Sequence, residues 1–259
     1  RPEPDGTYSI PEGNLFAAGD VPGRPEIYVM GNRNPFRLSI DHRTGYLYWG
    51  EVGPDAGAAG EERGSMGHDE INQARQAGNF GWPYFVGDNK PYHDYSFASK
   101  KSGTLFTAAA PVNDSPHNTG ARILPPAQPA FSWYPYVSSK EFPLVGVGGR
   151  NAMAGPVYYY DDYTAGDHTF PRYYDSKLFT YDWMRHWIMA VTMDENGDFV
   201  RMERFMPGTE FSRPVDMLFG PDGAMVLLEY GSTWYERNED ARLVRIVYTT
   251  ENKGKVKEE

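Results

Sequence analysis

Arg37-Leu38-Ser39-Ile40-Asp41, His42-Arg43-Thr44-Gly45 and Tyr46-Leu47-Tyr48-Trp49-Gly50 follow one another in this chain. The first and third runs favour strands and the second is a tight glycine turn, so the order predicts a β-hairpin. The design recurs twice. Trp187–Met193 leads through Asp194-Glu195-Asn196-Gly197-Asp198 to residues 199–203, and residues 216–219 lead through Gly220-Pro221-Asp222-Gly223 to residues 224–229. Repeated hairpins with irregular loops between them fit the blades of a β-propeller. No sharp repeat period is visible, so the bare pattern also fits a β-sandwich. Residues 26–30, 131–135 and 154–160 are further strand candidates. Residues 88–130 are rich in Pro, Ala, Ser and Asn and read as a long excursion, part outer strand and part loop. No segment carries an amphipathic helical pattern over three turns.

Composition agrees with an all-β chain. The 259 residues contain 15% aromatics, with 28 Gly and 21 Pro, which suits many short strands joined by many turns. The net charge of −10 argues against nucleic acid and anionic membranes, which reward a basic surface, and is compatible with calcium. There is no cysteine, which excludes disulfides, thiolate metal sites and a cysteine nucleophile. No apolar run approaches the ~20 residues of a membrane span. Residues 1–248 read as one structural region and 249–259 as a polar linker or tail.

The chemistry-bearing residues cluster between Gly31 and Pro83. Arg33-Asn34 sets a guanidinium fork beside a carboxamide, able to stabilise negative charge in a cleft or simply to pair with a carboxylate. Gly53-Pro54 can aim consecutive carbonyls at one point, or can be an ordinary turn. Asp69 and Glu70 are adjacent, so on a strand they point to opposite faces; one could bind metal, or both could form a solvated acidic turn. Gly81-Trp82-Pro83 reads as packing. Arg185 and Arg213 each precede a strand and suit either an anionic ligand or a surface salt bridge. The loop at Asp194 lacks the distal glutamate of an EF-hand, and the six histidines form no metal-ligand spacing.

Four blocks in this order, Gly31-Asn32-Arg33-Asn34-Pro35, Trp49-Gly50-Glu51-Val52-Gly53-Pro54-Asp55, Asp69-Glu70-Ile71-Asn72 and Gly78-Asn79-Phe80-Gly81-Trp82-Pro83, resemble the glucose/sorbosone dehydrogenase family. The resemblance can be followed more weakly to about residue 248. It implies a six-bladed β-propeller, of which this chain would supply roughly three to four blades, using pyrroloquinoline quinone (PQQ) and calcium to oxidise a sugar or polyol hydroxyl. By the same resemblance Arg33 and Asn34 face the quinone carbonyls as the catalytic pair. The carbonyls of Gly53 and Pro54 ligate the catalytic calcium, and Glu70 ligates a structural one, with the loop Val86-Gly87-Asp88-Asn89 as a further source of ligands. Basic residues at about the places of Arg185 and Arg213 pair with cofactor carboxylates, and Arg213 matches one of them. The family's quinone-glucose members carry a lysine near Arg185 and a second arginine near Val215, and this chain departs from them at both places.

The family's general base is a histidine upstream of the Arg-Asn motif, and residues 1–32 contain none. A six-bladed propeller needs on the order of 300–450 residues. The expectation is therefore a C-terminal portion of a longer, periplasmic or extracellular enzyme. Its partners would be the preceding blades, a sugar or polyol, and a cytochrome or similar electron acceptor. The alternative is a non-catalytic propeller that binds an extracellular ligand or protein.

Overall fold

A computed structural model of the chain describes residues 1–17, 19, 22–164, 166 and 168–249. All of the expected tail except Thr249 lies outside the described residues. The chain divides into two compact units, residues 1–153 and 154–259.

The first unit is built on one antiparallel sheet. Its strands are β1 (Val29–Met30), β2 (Pro35–Ile40), β3 (Leu47–Glu51), β4 (Asp69–Ala74), β5 (Gly78–Asn79), β6 (Phe85–Val86), β7 (Lys90–Pro91), β8 (His93–Ser96), β9 (Lys101–Leu105) and β10 (Ser132–Tyr134). The main sheet has the order β10-β4-β3-β2, which is blade-like. The predicted hairpin is β2–β3: Ile40 pairs Leu47, and Asp41 N donates to Tyr46 O across the turn. Of the strand expected over 26–30, only β1 forms, and it pairs in parallel with β5. Trp49 and Phe80 meet edge-to-face with centroids 4.6 Å apart, and with Ala74 they form a small core. The excursion over 88–130 contains β7, which pairs with β6, the short ribbon β8–β9, and between and beyond them mostly irregular chain.

β11 (Ala152–Tyr158) opens at the end of the first unit. The second unit continues with β12 (Lys177–Asp182), β13 (Trp187–Met193), β14 (Phe199–Phe205), β15 (Pro214–Phe219), β16 (Met225–Glu229) and β17 (Arg242–Ile246). The orders β11-β12-β13-β14 and β15-β16-β17 give one four-stranded and one three-stranded sheet. Both predicted hairpins are present, as β13–β14 and β15–β16. The Asp194 loop is a hairpin turn, with Asp194 Oδ1 accepting the main-chain N–H of Asn196 and Asp198. Tyr158, Phe170, Phe179, Phe205 and Phe219 pack ring to ring at 4.7–6.5 Å, which is where much of the aromatic content goes. The described helices are three single 3-10 turns, so the reading of an all-β chain holds.

Candidate functional site

Arg33 is positioned by backbone geometry and by a buried carboxylate. Gly31 has φ +80°, and a Cβ there would lie 2.4 Å from Asn79 Oδ1 and 2.6 Å from Gly81 N. Only glycine satisfies both conditions. Residues 31–34 can therefore lie against the Gly81-Trp82 segment, where Trp82 N donates to Gly31 O at 3.0 Å. Glu51, at the end of β3, is buried. Its Oε1 accepts the main-chain N–H groups of Arg33 and, at 2.6 Å, Asn34; its Oε2 lies 3.3 Å from Trp49 Nε1. Burial raises the Glu51 carboxyl above the usual range, and the amides of Asn34 and Arg33 pull it back. Sequence reasoning quoted Glu51 inside a motif but gave it no role. The available signal was a carboxylate one residue past a strand glycine and two past a core tryptophan.

The Arg33 side chain then turns to the next stretch of main chain. Its Nη1 donates to Val52 O at 2.8 Å, and its guanidinium stands 5.8 Å from the centroid of the Trp82 ring. Asn34 is exposed and accepts Val52 N–H through its main-chain oxygen at 3.0 Å. Two residues further on, Pro54 O accepts Arg150 Nη2 at 2.6 Å. Arg33 and the Gly53-Pro54 segment are therefore brought together, and a second arginine that sequence reasoning missed is there with them.

Asp69 ties the other side. Its Oδ1 accepts Gly53 N–H at 3.0 Å, its Oδ2 accepts Ala152 N–H at 3.0 Å, and Arg150 Nε lies 3.1 Å from Oδ1 without a well-aligned hydrogen bond. Both side chains of this pair are fully buried, at 0% and 1% exposure, so it is a closed internal ion pair. Glu70 faces away from it, as the strand alternation predicted. Its Oε1 accepts Gly87 N–H at 2.5 Å and its Oε2 accepts Asn72 Nδ2 at 3.0 Å. The expected loop does reach Glu70, but through an amide N–H. Asp88 pairs instead with Lys90, and Asn89 Nδ2 donates to Ala127 O. Burial pushes the Glu70 carboxyl up to about 8.

Calcium takes six to eight oxygens at about 2.3–2.6 Å. At both metal positions read from the sequence, oxygens named as ligands already accept hydrogen bonds. The Pro54 oxygen is covered by a guanidinium, and Glu70 is surrounded by donors. Among the described residues, no group of three or more His, Cys, Asp or Glu side chains could hold a metal ion.

Beside Pro54 opens a cleft of about 650 Å³ walled by Trp82, Tyr84, Tyr92, His93, Tyr95 and Phe106, with Arg63 at its edge. That size suits a small organic ligand. Trp82, read from sequence as packing, is half-buried and forms part of this wall. The Arg63 guanidinium lies over Tyr95 at 4.2 Å. Tyr92 hydroxyl is buried without a hydrogen-bond partner, and burial pushes its pKa to about 12, so it is a neutral donor. His93 Nδ1 lies 2.9 Å from Gly103 O, which puts the proton on Nδ1 and leaves Nε2 as the ring's acceptor.

Arg185 and Arg213 belong to the second unit. Arg185 N–H donates to Asp182 Oδ1 at 2.7 Å. Arg213 Nη1 donates to the carbonyls of Gly231, at 2.9 Å, and Ser232, and its guanidinium lies 5.3 Å from the Trp183 ring. Part of the Arg213 fork is thus spent bracing its own loop.

Residues 2–121 match the family model described as Glucose / Sorbosone dehydrogenase. Quinoprotein glucose dehydrogenase B of Acinetobacter calcoaceticus is 31% identical over 135 residues, which cover 48% of this chain and 25% of that protein. The HIPL2 protein of Arabidopsis thaliana is 35% identical over 83 residues, covering 32% of this chain and 10% of that protein. Among solved structures, an oxidoreductase (glucose dehydrogenase) of Thermus thermophilus superposes with a TM-score of 0.52 at 21% identity, over 92% of this chain and 52% of its own. A second glucose dehydrogenase gives 0.53 at 21% identity, over 93% and 52%. The chain spans about half the length of these structures, and the likeness to them establishes the all-β, propeller-type fold.

Proposed function

We propose that this chain, whose residues 2–121 match the glucose/sorbosone dehydrogenase model, is part of a PQQ-dependent oxidoreductase acting on a sugar or polyol hydroxyl. The observation that carries the reading is the aromatic cleft at Pro54, lined by Trp82 and Arg63, with Arg33, held by Glu51, 5.8 Å from the same Trp82 ring. A planar polyanionic cofactor calls for flat apolar walls and fixed cations. Trp82, Tyr84 and Tyr92 supply the walls, and Arg33 and Arg63 supply the charge.

PQQ, when bound, accepts the hydride equivalent from the substrate carbon. The chain's own residues would then act as follows. Arg33 holds positive charge beside the cleft, where negative charge develops as the cofactor is reduced. His93 Nε2 is a proton acceptor in the cleft wall. The aromatic rings limit water in the cleft. A cytochrome or similar acceptor, and a periplasmic or extracellular location, belong to the same proposal.

The experiment is titration of the chain with PQQ, followed by cofactor absorbance and by reduction of a dye with aldoses and polyols. The reading predicts saturable quinone binding that Arg33→Ala weakens by about tenfold or more, the cost of losing a charge-assisted contact. Quinone binding equal in the native chain and the variant would overturn the assignment of Arg33. The second reading, a propeller that binds without catalysing, draws support from the Arg213 fork being turned onto carbonyls 231 and 232. It predicts quinone or sugar binding with no dye reduction by the complete protein.

A further inference from the structure

We propose that the buried guanidinium of Arg150 is the resident cation of this site, standing at the Pro54 carbonyl in place of a divalent metal ion. Three observations carry this. Arg150 Nη2 sits 2.6 Å from Pro54 O, within the space a metal would need. Asp69, the carboxylate that pairs with this guanidinium, is already committed to it and to the main-chain amides of Gly53 and Ala152. Gly67 closes the remaining approach: a Cβ there would lie 1.7 Å from Pro54 O and 2.7 Å from Arg150 Nη2, so backbone already packs over both.

The position is built rather than incidental. The Arg150 guanidinium also covers the Tyr136 ring, 3.8 Å from its centroid, and Tyr136 hydroxyl donates to Asp55 Oδ1 at 2.5 Å. Arg150 is therefore fixed by a carboxylate, a carbonyl and an aromatic face at once. A divalent ion added at Pro54 O would sit within a few ångströms of a buried positive charge, which like-charge repulsion opposes strongly in a dry interior. A guanidinium cannot be deprotonated in a protein, so the charge is permanent and independent of metal supply. Paired with Asp69 it adds no net charge there, so what it gives the neighbouring cleft is a Pro54 carbonyl held in one orientation.

The inference rests on the quinone reading for what the site serves, but the metal question is decided without any quinone. The test is equilibrium dialysis of the chelator-treated full chain against calcium up to about 1 mM, the range in which extracellular calcium modules bind. Thermal melts in calcium and in EDTA accompany it. We expect no saturable calcium uptake and the same melting temperature in both. Arg150→Ala, which uncovers Pro54 O and frees Asp69, should gain a calcium-dependent rise in melting temperature. Should that variant fail to fold, Arg150→Lys keeps the charge and should refuse calcium as the native chain does. Uptake of one calcium per native chain, with a melting temperature that EDTA lowers, overturns the proposal. So does quinone affinity that calcium raises by about tenfold or more. A chain that binds no quinone under either condition defeats the functional reading, while the dialysis result still decides the role of Arg150.

Discussion

Arg33 and Arg150 each cap a carbonyl of the same short segment, Val52 O and Pro54 O, yet they sit in opposite environments. Arg33 is half-buried beside Trp82, with its main chain held by Glu51 and its fork only partly used. Arg150 is sealed inside, with a carboxylate, a carbonyl and a ring around it. The same side chain on the same kind of acceptor therefore does two jobs. Burial decides which job, because a sealed ion pair is costly to break and a rim cation is free to meet a ligand.

The contrast can be broken most sharply at Asp69. Asp69→Ala leaves Arg150 buried without its counter-charge and strands the amides of Gly53 and Ala152. It should lower stability by about 3–5 kcal/mol in denaturant titration. A loss below about 1 kcal/mol would mean that the pair is not sealed. Glu51→Ala strands two main-chain donors at Arg33 and Asn34 and should cost about 1–3 kcal/mol by the same measurement. It should also weaken quinone binding, because the arginine loses its platform.

Glu70 tests whether the far face of β4 is metal-free. Its folded pKa, about 8, lies above the ordinary 4.5, so the folded state holds a proton that the unfolded state gives up. Stability should therefore fall as pH rises from about 4.5 to about 8, by at most about 1.4 kcal/mol per pH unit, and level off above. Glu70→Gln should flatten that slope. A native chain without the slope would point to a cation or other partner keeping the carboxylate ionised. The smallest effect is expected at Arg33 itself. Arg33→Ala removes one net hydrogen bond, worth about 0.5–1.5 kcal/mol, and a partly exposed ring contact. A stability loss as large as that of Asp69→Ala would erase the distinction between the two arginines.

Much of the architecture could be read in the chain because it is local. The strand–turn–strand runs at 37–50, 187–203 and 216–229 became β2–β3, β13–β14 and β15–β16 through turn chemistry and neighbouring apolar residues alone. The site was only partly readable. Arg33, Asn34, Gly53 and Pro54 could be named because they lie in two short blocks with a recognisable order and spacing. Arg150 was missed because it stands 96 residues from the carbonyl it holds, in a Gly-Arg-Asn stretch with no periodicity or motif to mark it. Trp82 was taken for packing because a tryptophan beside a proline gives no sign of which of its faces is open. The resemblance assigns Glu70 to a structural calcium; that its carboxylate meets the Gly87 amide and the Asn72 side chain depends on how those residues fold back.

The sequence by itself determined that this is an all-β chain of repeated hairpins, and it determined which family's motifs the first half carries. Both follow from short-range alternation, turn residues and fixed spacings. Only the tertiary structure decided what occupies the Pro54 carbonyl, which carboxylate is paired and which is merely hydrogen-bonded, and which aromatics face a cleft. Those outcomes depend on burial and on contacts between residues far apart in the chain, and no local pattern encodes them.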